Sequence, residues 1–231
     1  MLYDEAAVKA NIRNRDGKRV FFLGKGDQLT SSARDYLSRE RIEIRPGEEA
    51  KIHQYRLLSG GFLTEKPEHM THLNGDVLVP KTHPRIAFRG AMDNLEAQLL
   101  LGQLQCPAAA GQLGEILELA RVIVRCDVLG EDVKPGKLCG LTEDEQRAHS
   151  HRPQDFYGQP HFMPSVEDGP QILWLNGIRV AARNAELAAV HAFRDLEGNP
   201  TRVDILRALN RMSSMLWILM IQLKARQKLR N

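Results

Sequence analysis

Residues 85–107 read RIAFRGAMDNLEAQLLLGQLQCP, and this stretch decides the fold class. Phe88, Met92, Leu95 and Leu99 recur at three- and four-residue steps, the spacing of one face of an α-helix, and Pro107 closes the segment. Downstream, Leu113, Ile116, Leu117, Ala120, Val124 and Val128 predict a second helix ending at Gly130. A third is expected over about residues 171–196, with Trp174, Ile178, Ala181, Ala185, Ala189 and Phe193 on one side. A fourth follows Asn199-Pro200-Thr201, where Thr201 is expected to cap and Asp204 to favour the first turn. Its stripe runs through Val203, Leu206, Leu209, Ser213, Leu216, Met220 and Leu223, and Lys224, Arg226, Lys228 and Arg230 suit its C-terminal dipole. Helices with apolar stripes must bury them against one another, so the chain reads as mainly α, an antiparallel four- or five-helix bundle.

Between the second and third helices the pattern loosens. Prolines at 135, 153, 160 and 164 and histidines at 149, 151 and 161 mark a long irregular segment, which inside a compact domain is more often functional than idle. A Thr142 to Glu145 capping box starts one short helix there. Upstream of the bundle, residues 1–64 are polar. Short apolar patches at 20–23 and 42–44 predict strands, and a helix between them carries Thr30 or Ser31 as cap and Ala33, Tyr36 and Leu37 as its apolar face. Ser59-Gly60-Gly61 and Pro67 mark a linker or mobile loop. The organisation is therefore a small N-terminal α+β extension, residues 1–64, and a bundle domain, residues 65–231.

Composition narrows the function. With 32 basic and 29 acidic residues the net charge is +3, so no global field draws nucleic acid or an anionic membrane, and any anion site must be a local cluster. The longest apolar run, residues 215–221, is far shorter than the roughly 20 residues a membrane span needs. Cys106, Cys126 and Cys139 are odd in number and widely spaced, and no apolar signal region is read at the N-terminus; the expectation is a reducing cytoplasm.

Candidate chemistry gathers on the helices. Arg179 and Arg183, at i and i+4, put two guanidinium groups on one face, with Glu186 three residues on. Such a pair is either a solvated basic stripe or a fork suited to phosphate. Asp93 follows core Met92 and is placed to hold one of the arginines. Asn210 sits beside core Leu209, where an amide reads ribose or phosphate oxygens. Lys81, His83 and Arg85 precede the first bundle helix, and the lysine and the arginine add two permanent charges at the bundle's open end. Arg121 and Arg125 form a further pair without an assigned role. His69, His72, His149, His151 and His161 lack paired cysteines or an acidic partner at ligand spacing, so they are read as hydrogen-bonding residues and no metal site is assigned.

In order along the chain these residues carry a resemblance. Val79-Pro80-Lys81-Thr82-His83-Pro84-Arg85-Ile86-Ala87-Phe88-Arg89-Gly90-Ala91-Met92-Asp93-Asn94-Leu95 resembles the V-x-K-x-D-x-R-I/V-E-A-Y-G-T-V-D-E-L opening of the first bundle helix in propanediol-utilisation-type (PduO-type) corrinoid adenosyltransferases. Residues 179–186 are similar to that family's A-R-x-x-x-R-R-A-E-R helix, with Asn184 in place of the second adjacent arginine, and Leu209-Asn210-Arg211-Met212-Ser213 to its L-N-R-L-S string. Residues 29–34, Lys66-Pro67 with Thr71-His72-Leu73, and His151-Arg152-Pro153 with His161 and Pro164 resemble the ethanolamine-utilisation (EutT) branch.

The resemblance implies an enzyme that transfers the 5′-deoxyadenosyl group of ATP to the cobalt of reduced cobalamin and releases triphosphate, with Mg²⁺ accompanying the nucleotide. It implies that Asp93 pairs with Arg179, that Arg183 and Lys81 face the triphosphate, that Arg85 and Asn210 contact the nucleotide and that Glu186 orients an arginine. Phe162, in Phe162-Met163-Pro164, takes the place of the phenylalanine that lies under the corrin; the same residue also reads as a loop aromatic covering the core. The T-G-D-x-G-x-T loop of the propanediol type is missing, with only Thr71 to Asp76 in its place, and no cysteine precedes Cys106 to make the C-C-x-x-C cluster of the ethanolamine type. A homo-oligomer, trimer or dimer, in the cytoplasm and associated with a microcompartment, completes the expectation. The competing readings are a module that binds and delivers adenosylcobalamin without making it, and a microcompartment structural protein.

Overall fold

The computed structural model describes residues 1–47 and 54–229, so Arg230, counted above in the basic tail, lies outside the described residues. Contacts divide the chain into two compact units, Met1–Gln54 and Tyr55–Asn231.

The first unit contains β1 (Leu2–Tyr3), α1 (Glu5–Ala10), β2 (Arg13–Arg15), β3 (Lys18–Leu23), β4 (Gln28–Leu29), α2 (Ser31–Arg39) and β5 (Glu43–Pro46). The two strands expected from the apolar patches, β3 and β5, pair in parallel, Val20 opposite Glu43, and α2 connects them. Thr30 is the cap of α2, its hydroxyl accepting from the Ala33 amide. Val8, Phe21, Ala33 and Leu37 are buried together, a small core for so short a unit.

The second unit opens with a four-stranded sheet in the order β7-β6-β9-β8, where β6 is Tyr55–Leu57, β7 Phe62–Leu63, β8 Met70–Asn74 and β9 Val77–Pro80. Because β6 pairs with β7 and β9, the division falls before the Ser59-Gly60-Gly61 turn, where the sequence places it after. Gly75, with φ +48°, supplies the left-handed turn of the β8–β9 hairpin.

The helices follow: α3 (Pro84–Gln105), α4 (Ala110–Leu129), α5 (Glu143–His151), α6 (Pro153–Tyr157), α7 (Pro170–Ala192) and α8 (Val203–Lys228). α3 packs on α4 and α7, and α8 closes the set against α7 and α4. The short connections within the α3–α4 and α7–α8 pairs make each pair antiparallel. Phe88, Met92, Leu95, Leu99, Ile116, Leu175, Ile178, Leu209, Met212 and Leu216 form one continuous core. Gly102 lets α3 approach α7, for a Cβ there would lie 2.4 Å from Ile178 Cδ1. No helix among the described residues is long and apolar enough to cross a membrane.

Boundaries differ from the sequence reading in two places. α7 stops at Ala192 because Asp195 accepts the Glu197 and Asn199 amides in a tight turn, which leaves Leu196 outside the helix. Thr201 does not cap α8; its hydroxyl donates to the Phe193 carbonyl, and Arg202 occupies the cap position. The Thr142–Glu145 capping box forms as read.

Candidate functional site

A cleft of about 530 Å³ lies where α7 and α8 meet the loop of His161 to Pro164 and the end of α5. Helical spacing explains its cationic wall. Arg179 and Arg183 are one turn apart on α7, with Ala181, Ala182 and Ala185 buried behind them. The Arg179 guanidinium donates to Asn176 Oδ1 from Nε at 3.3 Å and Nη2 at 3.0 Å, and it lies over the Trp217 ring, 5.5 Å from the centroid. Burial, and then the neighbouring Arg183 charge, push its pKa down. Arg183 is exposed, and neither arginine has an acidic partner among the described residues. Two like charges at a partly dehydrated wall, with no carboxylate between them, favour an incoming anion.

α8 supplies the facing wall. Asn210 Nδ2 donates to Glu186 Oε1 at 3.0 Å, and Arg211 donates to Asn210 Oδ1. Ser213 and Ser214 both donate to the Asn210 carbonyl, at 3.0 and 3.1 Å. Glu186 thus holds the asparagine amide, where the resemblance gave it an arginine. Arg211, Ser214 and Trp217 join the cleft without having been singled out from the sequence. Arg211 is in the same string as Asn210, and Trp217 lies two turns further along that helix, so spacing alone brings them in.

Aromatic rings build the third side. Phe162 stacks on Trp217 at 5.3 Å and 24°, His161 stacks on the same ring at 5.8 Å and 10°, and Lys224 lies 5.5 Å from the Phe162 centroid. Phe162 is half-buried in the cleft and also packs against the core, as its reading as a loop aromatic has it. Three of the histidines hydrogen-bond locally: His149 of α5 with the Tyr157 hydroxyl at 2.6 Å, His161 with the His151 carbonyl at 3.2 Å, and His72 of β8 with the Gly75 carbonyl at 2.9 Å. Among the described residues no group of three or more His, Cys, Asp or Glu is arranged to hold a metal ion.

The remaining sequence candidates lie elsewhere in the single chain. Arg85 is not a free charge. Its Nε and Nη2 donate to Asp127 Oδ1 at 2.9 and 2.6 Å, and Arg89 Nε donates to Oδ2 at 2.7 Å. The Asp127 side chain is wholly buried, so the two arginines compensate a carboxylate that water cannot reach. Lys81 is exposed at the end of β9, and Asp93 is exposed on α3 without an ion pair among the described residues, so the Asp93–Arg179 pair does not form within one chain. Thr71 to Asp76, taken as the counterpart of a phosphate-wrapping loop, is most of a β-hairpin.

Comparison with known proteins gives these features a family. The cobalamin adenosyltransferase family matches residues 62–223. The corrinoid adenosyltransferase EutT of Salmonella typhimurium is 34% identical over 161 residues, which cover 69% of this chain and 60% of that protein. EutT of Escherichia coli is 31% identical over 169 residues, covering 72% and 63%. The chain therefore spans about three fifths of the length of these relatives. Among solved structures, a variant PduO-type ATP:corrinoid adenosyltransferase from Lactobacillus reuteri complexed with ATP aligns with a TM-score of 0.49 at 17% identity, over 69% of this chain and 92% of that one. Another variant, complexed with cobalamin and ATP, gives 0.46 at 16% identity, over 75% and 90%. The family match runs from β7 through α3, α4 and α7 and most of α8, and the chain belongs to the cobalamin adenosyltransferase family.

Proposed function

We propose that this chain transfers the 5′-deoxyadenosyl group of ATP to the cobalt of a reduced corrinoid and releases triphosphate. The observation that carries the reading is the cleft in which two guanidinium groups without an acidic partner among the described residues, Arg179 and Arg183, stand beside the stacked rings of Phe162 and Trp217. Cobalt(I) attacks C5′ with its own electron pair; the cobalt–carbon bond forms as the C5′–oxygen bond breaks, and the pair from that bond leaves with triphosphate. The nucleophile needs no general base, so the chain's work is to position C5′ and stabilise the leaving polyanion. Arg183 and Arg179 face that charge, and Asn210, held by Glu186 and Arg211, keeps an amide hydrogen for the nucleotide. Phe162 and Trp217 give the corrin an apolar, poorly hydrated bed, which favours loss of its lower axial ligand.

Lys81 and Asp93, exposed and without ion pairs among the described residues, are assigned to the site of a neighbouring copy, so that a homo-oligomer completes the constellation. The lining of the cleft contains no carboxylate, so its residues do not fit a protein-held Mg²⁺; the ion would enter on ATP, and no step is routed through it. An ethanolamine-utilisation setting in the cytoplasm is the context the EutT relatives support. ATP titration tests the reading: Arg183→Ala should weaken ATP by about 10- to 100-fold, the loss of one charge-assisted contact, with helical circular dichroism unchanged. Unaltered affinity would remove Arg183 from the site, and loss of the helical signal would recast it as structural.

A further inference from the structure

A second cavity, of about 470 Å³, lies between α4, residues 133–138, the start of α5 and α8. Its size falls in the range of small-molecule sites. Leu119, Val133 and Leu138 make its apolar wall. Lys134, Lys137 and Arg207 line it too, and none of them has an ion pair among the described residues. Most of the acids around it are already engaged. Asp204 receives the Arg202 fork and the Val133 amide, Glu115 accepts the Cys139 amide, and Glu118 pairs with Arg121. Glu115, which meets only a backbone amide, and Glu143 are the lining acids left without a charged partner among the described residues, against three unpaired cations.

Two further observations point to an occupant. Gln146, 1% exposed, lines the cavity; its Nε2 donates to the Leu141 carbonyl at 3.0 Å, which fixes the amide, and its Oε1 has no partner. A buried acceptor without a donor is uncommon and calls for one. Arg211 lines both this cavity and the cleft, one nitrogen donating to the Glu143 carbonyl at 3.5 Å and another to Asn210 Oδ1.

We propose that this cavity binds a small organic phosphate. Lys134, Lys137 and Arg207 take the phosphate, Leu119, Val133 and Leu138 cover an apolar body, and a hydroxyl or amide hydrogen meets Gln146 Oε1. Its occupancy draws on the shared Arg211 and so alters how Asn210 is held; this coupling, though not the binding, rests on the transferase reading. The test is calorimetric titration of the full chain with phenyl phosphate and with inorganic phosphate. Phenyl phosphate should bind about tenfold more tightly, because the ring buries apolar surface that the bare ion lacks. The double variant Lys134→Ala/Arg207→Ala, altered at exposed positions, should weaken phenyl phosphate at least tenfold, whereas Arg183→Ala should leave it unchanged. Equal binding by the double variant, or loss in Arg183→Ala, would place the ion elsewhere and overturn the site; equal affinities for the two probes would reduce it to a site for free phosphate and overturn the organic ligand. Saturating phenyl phosphate should shift the ATP dissociation constant at least threefold in the wild type and not in the double variant; no shift overturns the coupling. If ATP itself fails to bind, the transferase reading falls and the coupling with it, while the phosphate site stands or falls on the first titrations.

Discussion

Asp127→Asn isolates the buried ion pair that fixes the start of α3 to the end of α4. The carboxylate takes three guanidinium hydrogen bonds of 2.6 to 2.9 Å, and its side chain is wholly inaccessible to water. Asparagine keeps the shape but removes the charge and turns an NH₂ group toward one arginine donor. Breaking a buried pair by removing one partner costs about 3 to 5 kcal/mol. The Arg85 and Arg89 side chains keep 23% and 18% of their exposure, so water relieves part of the penalty and the lower end, about 3 kcal/mol, applies. With a urea slope of about 2 kcal/mol/M, the unfolding midpoint should fall by about 1.5 M. Both tryptophans of the chain, Trp174 and Trp217, sit on α7 and α8, so fluorescence follows the bundle. Arg121→Ala is the control: its partners Glu96 and Glu118 are solvent-accessible, and its loss should stay below about 0.5 kcal/mol. A midpoint change under about 0.5 M for Asp127→Asn would refute the reasoning, placing the buried pair no higher than a surface one.

Asp204, whose carboxyl is held down to about 2 by the Arg202 fork, contributes stability that is present above the usual carboxylate pKa and lost as pH falls from about 4 to about 2. Asp204→Asn should therefore cost about 2 kcal/mol at pH 7, and the gap from wild type should close near pH 2 in urea titrations at each pH. Gly102→Ala should destabilise by about 1 kcal/mol net: crowding of the fully buried Ile178 outweighs the gain in helix propensity, and a stabilised variant would show that α3 and α7 are less tightly packed than described. Thr142→Ala removes the capping box of α5 and should cost about 1 kcal/mol; an unchanged midpoint would mean that this helix unfolds apart from the bundle.

The long helices were legible because each needs an apolar stripe, and the stripe is written at three- and four-residue spacing. Periodicity failed at the edges of those stripes. Val128, read as core, is 39% exposed, while neighbouring Asp127 is 1% exposed, since its compensating charges stand about forty residues earlier in the chain. For the same reason Arg85 reads from the sequence as a free cation. Arg179, Arg183 and Asn210 were visible because helical spacing and the quoted strings coincide on them. Trp217 was not, for a tryptophan at the border of a stripe reads as packing until a loop brings Phe162 and His161 onto its ring. The hairpin at Met70–Pro80 is not legible in the sequence because its strands are short and its turn reads as a loop.

Catalysis as proposed places the cobalt–carbon bond formed from ATP in the cleft of Arg179, Arg183, Asn210, Phe162 and Trp217. Incubating the full chain anaerobically with ATP, Mg²⁺ and chemically reduced cobalamin tests it most directly, with the visible spectrum followed before and after illumination. A light-sensitive alkylcobalamin and release of triphosphate are expected. A spectrum that does not change, from protein whose helical signal is intact, would contradict it.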